Sequence, residues 1–155
     1  PQYLTRLVGA DQTGARLRAL VREHRLVAVL GPGGCGKTRL AVEVARLLGE
    51  ETAAPRFEPP AFVSLVGAQT AADTLDRLCM ALHLQSAGDP TERLLGALDG
   101  RRVLLVLDNA EQLDDGAAAA LAHLIERLPQ AHWLVTSRRP LGLDGERGFV
   151  LEQLP

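Results

Sequence analysis

A glycine-rich stretch early in the chain carries the residue types that bind phosphate groups. It reads Gly31, Pro32, Gly33, Gly34, Cys35, Gly36, Lys37, Thr38, which fits the pattern G-x-x-x-x-G-K-[ST]. The glycines allow backbone N–H groups to turn inward on an anion. Lys37 would reach the β- and γ-phosphates of a nucleotide, and the Thr38 hydroxyl would ligate Mg²⁺. Lys37 is the only lysine in the chain, so it appears only where a phosphate contact is expected.

An acidic side chain is expected to complete the metal site that begins with Thr38. Val103 to Leu107 is the most hydrophobic run in the chain and is followed directly by Asp108 and Asn109. A buried strand that ends in aspartate, combined with an intact phosphate loop upstream, is the Walker B arrangement that delivers a carboxylate to Mg²⁺. The alternative is an ordinary loop aspartate. Asn109 stands where faster ATPases commonly place a glutamate that activates water, and an amide cannot take up that proton. Glu111 is the other candidate for this role.

The surrounding pattern supplies the elements that would position these groups. Leu26 to Leu30 reads as a strand buried on both faces, and Leu40, Val44, Leu47 and Leu48 have the spacing of one helix face that ends at Gly49. Residues 1–13 are predicted to be irregular. The other predicted elements are strands over 61–66, 103–107, 132–136 and 149–151 and helices that carry Leu17 to His24, follow Thr70, run from Pro90 to about Leu98, and follow Asp114 and Asp115. This alternation predicts an α/β fold with a parallel sheet.

Composition narrows the class of protein. The 155 residues are enough for one domain, and a net charge of −2 with 3% aromatic residues gives no footprint for nucleic acid or anionic lipid. Cys35 and Cys79 show no metal spacing, and a disulfide at Cys35 would obstruct the phosphate loop, so a reducing cytoplasm is expected. The sequence shows no membrane span and no signal peptide.

Three stretches together resemble the STAND class of P-loop ATPases, including the NB-ARC-like domains of bacterial LuxR-type and SARP-type transcription regulators. They are residues 31–41, residues 105–113 (LVLDNAEQL) and residues 134–142 (LVTSRRPLG). The resemblance implies a three-layer P-loop NTPase sandwich whose five-stranded parallel sheet has the order 5-1-4-3-2. It covers nearly all of residues 1–155, read as one nucleotide-binding domain of a longer protein.

The same resemblance assigns roles to individual residues. Arg138 would sense the γ-phosphate and act in catalysis with Lys37, Asp108 and Asn109, while Thr38 and Asp108 would hold Mg²⁺. Residues 4–9 would lie against adenine, with Leu7 and Val8 as contacts. Arg39, directly after the phosphate loop, would also contact the nucleotide. Helical and winged-helix domains of the same chain would be the partners, and self-association on activation is a further implication.

These features favour a switch that binds ATP and ADP and hydrolyses slowly, in signal transduction or transcription regulation. A faster motor ATPase is the alternative that Asn109 disfavours. A small-molecule kinase would need an acceptor pocket and an arginine-rich lid, and Arg138 with Arg139 is too short to form one. A nucleotide-binding scaffold without turnover stays open.

Overall fold

A parallel sheet flanked by helices forms the domain, as the sequence pattern predicts. The computed structural model describes residues 2–84 and 88–151, with side chains from residue 12 onward. The elements in chain order are α1 Gln2–Glu23, β1 Leu26–Leu30, α2 Lys37–Glu50, β2 Ala61–Ser64, α3 Ala71–Ala81, α4 Pro90–Leu98, β3 Leu104–Asp108, α5 Asp115–Arg127, β4 His132–Ser137 and β5 Arg147–Val150.

The five strands are all parallel and lie in the order β2-β3-β4-β1-β5. Read from the opposite edge, this is the predicted order 5-1-4-3-2, which is therefore confirmed. β1 lies between β4 and β5, and β4 separates it from β3. The carboxyl ends of β1, β3 and β4, where ligands bind in open parallel sheets, consequently share one edge.

Alternate residues of the central strands pack against helices on opposite faces. Val27, Val29 and Val106 pack with α1 and α2 in one buried cluster, whereas Leu105 and Leu107 belong to a second cluster with α3, α4 and α5. Both clusters consist mainly of aliphatic side chains removed from water. The sheet is therefore the middle layer of a three-layer sandwich, which explains its continuous apolar runs.

Side-chain caps fix the start of several helices on the outer layers. Thr70 Oγ1 accepts a hydrogen bond from the N–H of Asp73 at 3.1 Å, and Asp73 Oδ2 accepts from the N–H of Thr70 at 3.3 Å. This reciprocal pair is the predicted capping box. Hydrogen bonds from the N–H groups of Gln69 and then Thr70 lower the pKa of Asp73. Asp89 and Asp114 cap α4 and α5 as their sequences predict.

Some local predictions are wrong. β2 ends at Ser64 rather than at residue 66, β5 spans Arg147–Val150 rather than 149–151, and α2 continues to Glu50, one residue past its predicted end. Residues 1–13 are helical from Gln2, because the chain from there to Glu23 contains no proline and its apolar residues at 4, 7 and 8 continue a helical spacing. Leu47 does not join the buried face of α2 and is 38% exposed. That face includes Ala41 and Ala45 and is centred near Val44, so Leu47 falls at its margin.

Candidate functional site

Residues 31–36 connect β1 to α2 at the carboxyl edge of the sheet. Gly34 and Gly36 have φ values of 80° and 90°, a left-handed conformation that side chains other than glycine rarely adopt. Gly36 is also the N-cap of α2, and in the part of the chain that the structure describes no N-cap side chain hydrogen-bonds to the start of that helix. Its backbone N–H donors are therefore available to an anion.

The ammonium of Lys37 lies across this loop. It is 8% exposed, and Nζ donates hydrogen bonds to the carbonyls of Gly31 and Pro32, both at 2.8 Å. Cys35 Sγ lies 4.0 Å from the same nitrogen. Among residues 12–84 and 88–151, no carboxylate forms an ion pair with Lys37. Because the groups that contact the nearly buried ammonium of Lys37 are neutral, its charge attracts phosphate oxygens strongly.

Asp108 is the meeting point of two hydroxyl groups. Thr38 Oγ1 and Thr136 Oγ1 each donate to Asp108 Oδ1 at 2.6 Å. The other carboxylate oxygen lies 3.5 Å from the side-chain nitrogen of Asn109. Thr38 from α2 and Asp108 from β3 are therefore in direct contact, 70 residues apart in the sequence.

These oxygens suit Mg²⁺. The hydroxyl of Thr38 and the carboxylate of Asp108 are hard oxygen ligands, and Mg²⁺ in nucleotide sites commonly takes one or two such groups and completes its shell with phosphates and water. No group of three or more His, Cys, Asp or Glu side chains in the described part of the chain could hold a metal ion alone. The site consequently fits an ion that arrives with a nucleotide.

Arg138 follows β4 and lies over the phosphate loop. A Cβ atom at Gly33 would be only 2.7 Å from Nη2 of Arg138, so the guanidinium and the loop are in contact. The neighbouring Arg139 instead lines a small cavity of about 150 Å³ together with Glu111 and Asp115. Of the two adjacent arginines, Arg138 is thus the one beside the loop.

The loop after β3 is fastened to the end of β4 by contacts that the sequence did not reveal. Thr136 is 1% exposed, and its Oγ1 accepts from the N–H of Asn109 at 3.0 Å. Asn109 has a φ of 66°, the left-handed region that asparagine tolerates better than most residues. Glu111 Oε1 accepts from the N–H of Arg138 at 3.1 Å.

The structure thus brings together most of the residues predicted for the site, namely Gly31 to Thr38, Asp108, Asn109 and Arg138. Arg39 is exposed in the first turn of α2. Leu7 and Val8 lie in α1, but their side chains fall outside the described residues, so their adenine contacts stay a prediction. Thr136 was missed. The feature that could have revealed it is a hydroxyl side chain near the end of an aliphatic strand, β4, which pairs with the strand of Asp108.

The fold and the loop define a P-loop NTPase domain. More specifically, residues 25–153 match the NACHT domain, and the chain belongs to that family within the STAND class. It is 36% identical over 135 residues to a Mycobacterium tuberculosis protein assigned by name as an HTH-type transcriptional regulator, across 84% of this chain and 14% of that protein. An uncharacterised M. tuberculosis protein is 32% identical over 153 residues, across 94% of this chain and 36% of its own length.

Solved structures share the fold at low sequence identity. Cdc6p of Pyrobaculum aerophilum has a TM-score of 0.67 at 16% identity, covering 90% of this chain and 44% of that one. A STAND protein of Pyrococcus horikoshii with a tetratricopeptide repeat sensor has a TM-score of 0.56 at 17% identity, covering 88% and 22%. The chain therefore spans less than half the length of each of these proteins, from 14% to 44%. In the described ranges no helix is both long and apolar enough to cross a membrane.

Proposed function

We propose that this NACHT domain is an ATP/ADP switch that hydrolyses ATP slowly with Mg²⁺. The observation that carries the proposal is the position of Arg138, whose guanidinium lies against Gly33 of the phosphate loop. Lys37 and the Thr38–Asp108 pair lie on the same loop and the same sheet edge. Together they offer a site for a triphosphate and its metal ion.

Arg138 gives the site a means to distinguish the two nucleotides. A guanidinium presents a planar pair of donors, and the γ-phosphate is the group that ATP has and ADP lacks. A ligand shifts an equilibrium between two conformations only through its different affinity for them. A contact made to the γ-phosphate alone is therefore the kind of contact that a switch requires.

The residues after Asp108 support slow turnover. Mg²⁺ bound with the nucleotide would neutralise charge on the phosphates. Asn109 cannot accept a proton, and its left-handed backbone provides the turn that joins β3 to the next loop. One oxygen of Glu111 is already engaged by the N–H of Arg138. We therefore expect that neither residue activates water as strongly as the glutamate of a faster ATPase.

The output would lie in other domains of the same protein. One M. tuberculosis relative, of which this chain covers 14%, is assigned by name as an HTH-type transcriptional regulator, and this assignment supports a cytoplasmic role in transcription regulation or signalling. We extend the proposal to the NB-ARC-like subgroup of LuxR-type and SARP-type regulators predicted from the sequence. Partners would then be the further domains and a second copy on activation, with nucleic acid contacted elsewhere.

The test is nucleotide affinity in the intact protein, measured by calorimetry with Mg²⁺ at one salt concentration. Lys37→Ala should weaken ATP binding by roughly 10- to 150-fold, the loss of a charge-assisted contact. Arg138→Ala should weaken ATP binding by a similar factor and leave ADP binding nearly intact, whereas Arg139→Ala should change neither. An unchanged ratio of the two dissociation constants in Arg138→Ala, or a larger change in Arg139→Ala, would contradict the switch assignment.

Turnover separates the switch from its alternatives. A slow ATPase should retain ADP after purification and convert bound ATP in minutes or longer. Rapid multiple turnover would favour the motor ATPase, and bound ATP that never hydrolyses would favour a scaffold.

A further inference from the structure

The carboxylate of Glu111 crosses from the loop after β3 to the end of β4, where its Oε1 accepts from the backbone N–H of Arg138 at 3.1 Å. We infer that Glu111 is a positioning residue that holds Arg138 over the phosphate loop. This inference rests on the proposed function, because it assigns a task to Glu111 within the same site.

The contact is the last in a row that continues the pairing of β3 with β4. Regular pairing ends at Leu107 opposite Val135. Beyond it, the N–H of Asn109 donates to Thr136 Oγ1 and the N–H of Ala110 donates to the carbonyl of Thr136, both at 3.0 Å. The Glu111 carboxylate then receives the N–H of Arg138. The loop after β3 is thereby attached to β4 up to the residue whose side chain reaches the nucleotide site.

The opposite edge of β4 is attached to the phosphate loop itself. The N–H of Gly31 donates to the carbonyl of Ser137 at 3.3 Å, and Ser137 is fully buried. Arg138 is therefore the first residue of this segment that leaves the protein interior. Its backbone is held between the loop of Glu111 on one side and the start of the phosphate loop on the other.

The side chain of Arg138 needs such an anchor. It is exposed and lies beside Gly33, and the hydrogen bond that Arg138 forms with Glu111 among residues 12–84 and 88–151 is through the backbone N–H, not the guanidinium. A free arginine side chain loses considerable rotamer entropy when it is held in one place. Fixing its backbone reduces the number of positions that the guanidinium can reach, and this lowers the cost of meeting a γ-phosphate.

Glutamine separates the positioning role from the role of a base. The amide oxygen of glutamine accepts an N–H hydrogen bond as a carboxylate oxygen does, but it cannot take up a proton from water. Glu111→Gln should therefore keep both the preference for ATP over ADP and the rate of hydrolysis close to those of the wild type. Glu111→Ala should lose the preference.

Glu146 provides a matched control. Its carboxylate accepts from the backbone N–H groups of Leu141, Gly142 and Leu143 at 2.8–3.1 Å, in the connection between β4 and β5. Glu146→Ala therefore removes the same kind of contact from the same connection without touching Arg138. It should lower the free energy of unfolding and leave the ratio of ATP to ADP affinity unchanged.

The experiment measures ATP and ADP dissociation constants and single-turnover hydrolysis in the intact protein with Mg²⁺. Glu111→Ala is expected to reduce the preference for ATP about 10-fold, and the double variant with Arg138→Ala should be no worse than Arg138→Ala alone, because both changes act through one contact. An unchanged ratio in Glu111→Ala, additive losses in the double variant, or an equal loss in Glu146→Ala would overturn the inference.

Hydrolysis gives an independent readout. If Glu111→Gln keeps the ATP preference but slows hydrolysis by about 10²-fold or more, Glu111 is the base and the inference is wrong. A wild-type protein without any ATP preference would instead refute the proposed switch and remove the basis of the inference with it. A wild type that prefers ATP beside a Glu111→Ala variant that does so equally would refute only the positioning role.

Discussion

Replacing Thr136 by valine tests whether the centre of the site depends on one buried hydroxyl. Valine has nearly the shape of threonine but puts a methyl group where Oγ1 now donates to Asp108 at 2.6 Å and accepts from the N–H of Asn109 at 3.0 Å. Thr136 is 1% exposed, so its own hydroxyl is closed to water, whereas Asp108 and Asn109, which it contacts, are only partly buried. The change therefore removes two hydrogen bonds with little change in packing.

The magnitude follows from those two contacts. An N–H left without an acceptor costs about 1–3 kcal/mol, and a hydrogen bond to a charged group contributes about 1.5–3 kcal/mol. Asp108 keeps the bond from Thr38, and both Asp108 and Asn109 are only partly buried. Water will therefore compensate in part, and Thr136→Val should lower the free energy of unfolding by about 2–4 kcal/mol.

Urea denaturation measures this loss, and Thr136→Ser is the control. Serine keeps the hydroxyl and loses one buried methyl group, which costs about 1 kcal/mol. The midpoint should fall more in Thr136→Val than in Thr136→Ser, with the same dependence on urea concentration. Mg·ATP should also stabilise the valine variant less, because Asp108 is no longer held in place. Equal losses in the two variants, or a smaller loss in Thr136→Val, would refute the role of the hydroxyl.

Thr38, Asn109 and His132 provide three further tests. Thr38→Ala should weaken ATP binding with Mg²⁺ and much less with EDTA, and equal losses under both conditions would contradict the ligand role. Asn109→Glu should raise the rate of hydrolysis by less than the 10²–10⁴-fold of a well-placed base, because glutamate is less stable than asparagine at the φ of 66°, by about 1–2 kcal/mol. No gain in rate, together with a large loss in Glu111→Gln, would make Glu111 the base. Burial lowers the pKa of His132 below 6.5, so the unfolded chain binds more protons below that pH. The free energy of unfolding should therefore fall as pH drops from 6.5 through the folded pKa, and this slope should diminish in His132→Gln but persist when the exposed His123 is replaced by glutamine.

The environment of His132 explains that last expectation. Its Nδ1 lies 2.7 Å from the carbonyl of Val21, which can only accept, so this nitrogen carries the proton. The ring packs edge-on against Phe57, and Nε2 lies 3.5 Å from the guanidinium of Arg102. Protonation of Nε2 would place a second positive charge beside that arginine in a buried setting.

The sequence by itself determined the elements and the chemistry that depend on near neighbours in the chain. The phosphate loop lies within residues 31–38, and its glycines, its lysine and the helix start that follows are all local features. The buried strands appear in the sequence as continuous apolar runs, because helices cover both faces of the sheet. Asp108 follows from such a run, and the capping box at Thr70 and Asp73 depends on residues three apart.

Prediction failed locally where two readings of the same residues compete. Glycines at positions 9 and 14 favour a loop, whereas the apolar spacing from residue 4 onward favours a helix, and the helix is what forms. For α2, periodicity placed Leu47 on the apolar face, but the centre of that face depends on how the helix sits on the sheet. The packing of a helix on the sheet therefore determines whether a side chain at the edge of its apolar face is buried.

Only the tertiary structure decided how the site is held together. The order of the strands places the ends of β3 and β4 side by side, and their register sets Thr136 beside Asp108 and Glu111 beside the N–H of Arg138. These pairs are 27 or 28 residues apart, so no local pattern specifies them. The contact of Arg138 with Gly33 likewise requires β4 to lie next to β1. Residue types predicted which groups could bind a nucleotide, whereas strand register and packing determined which of them meet.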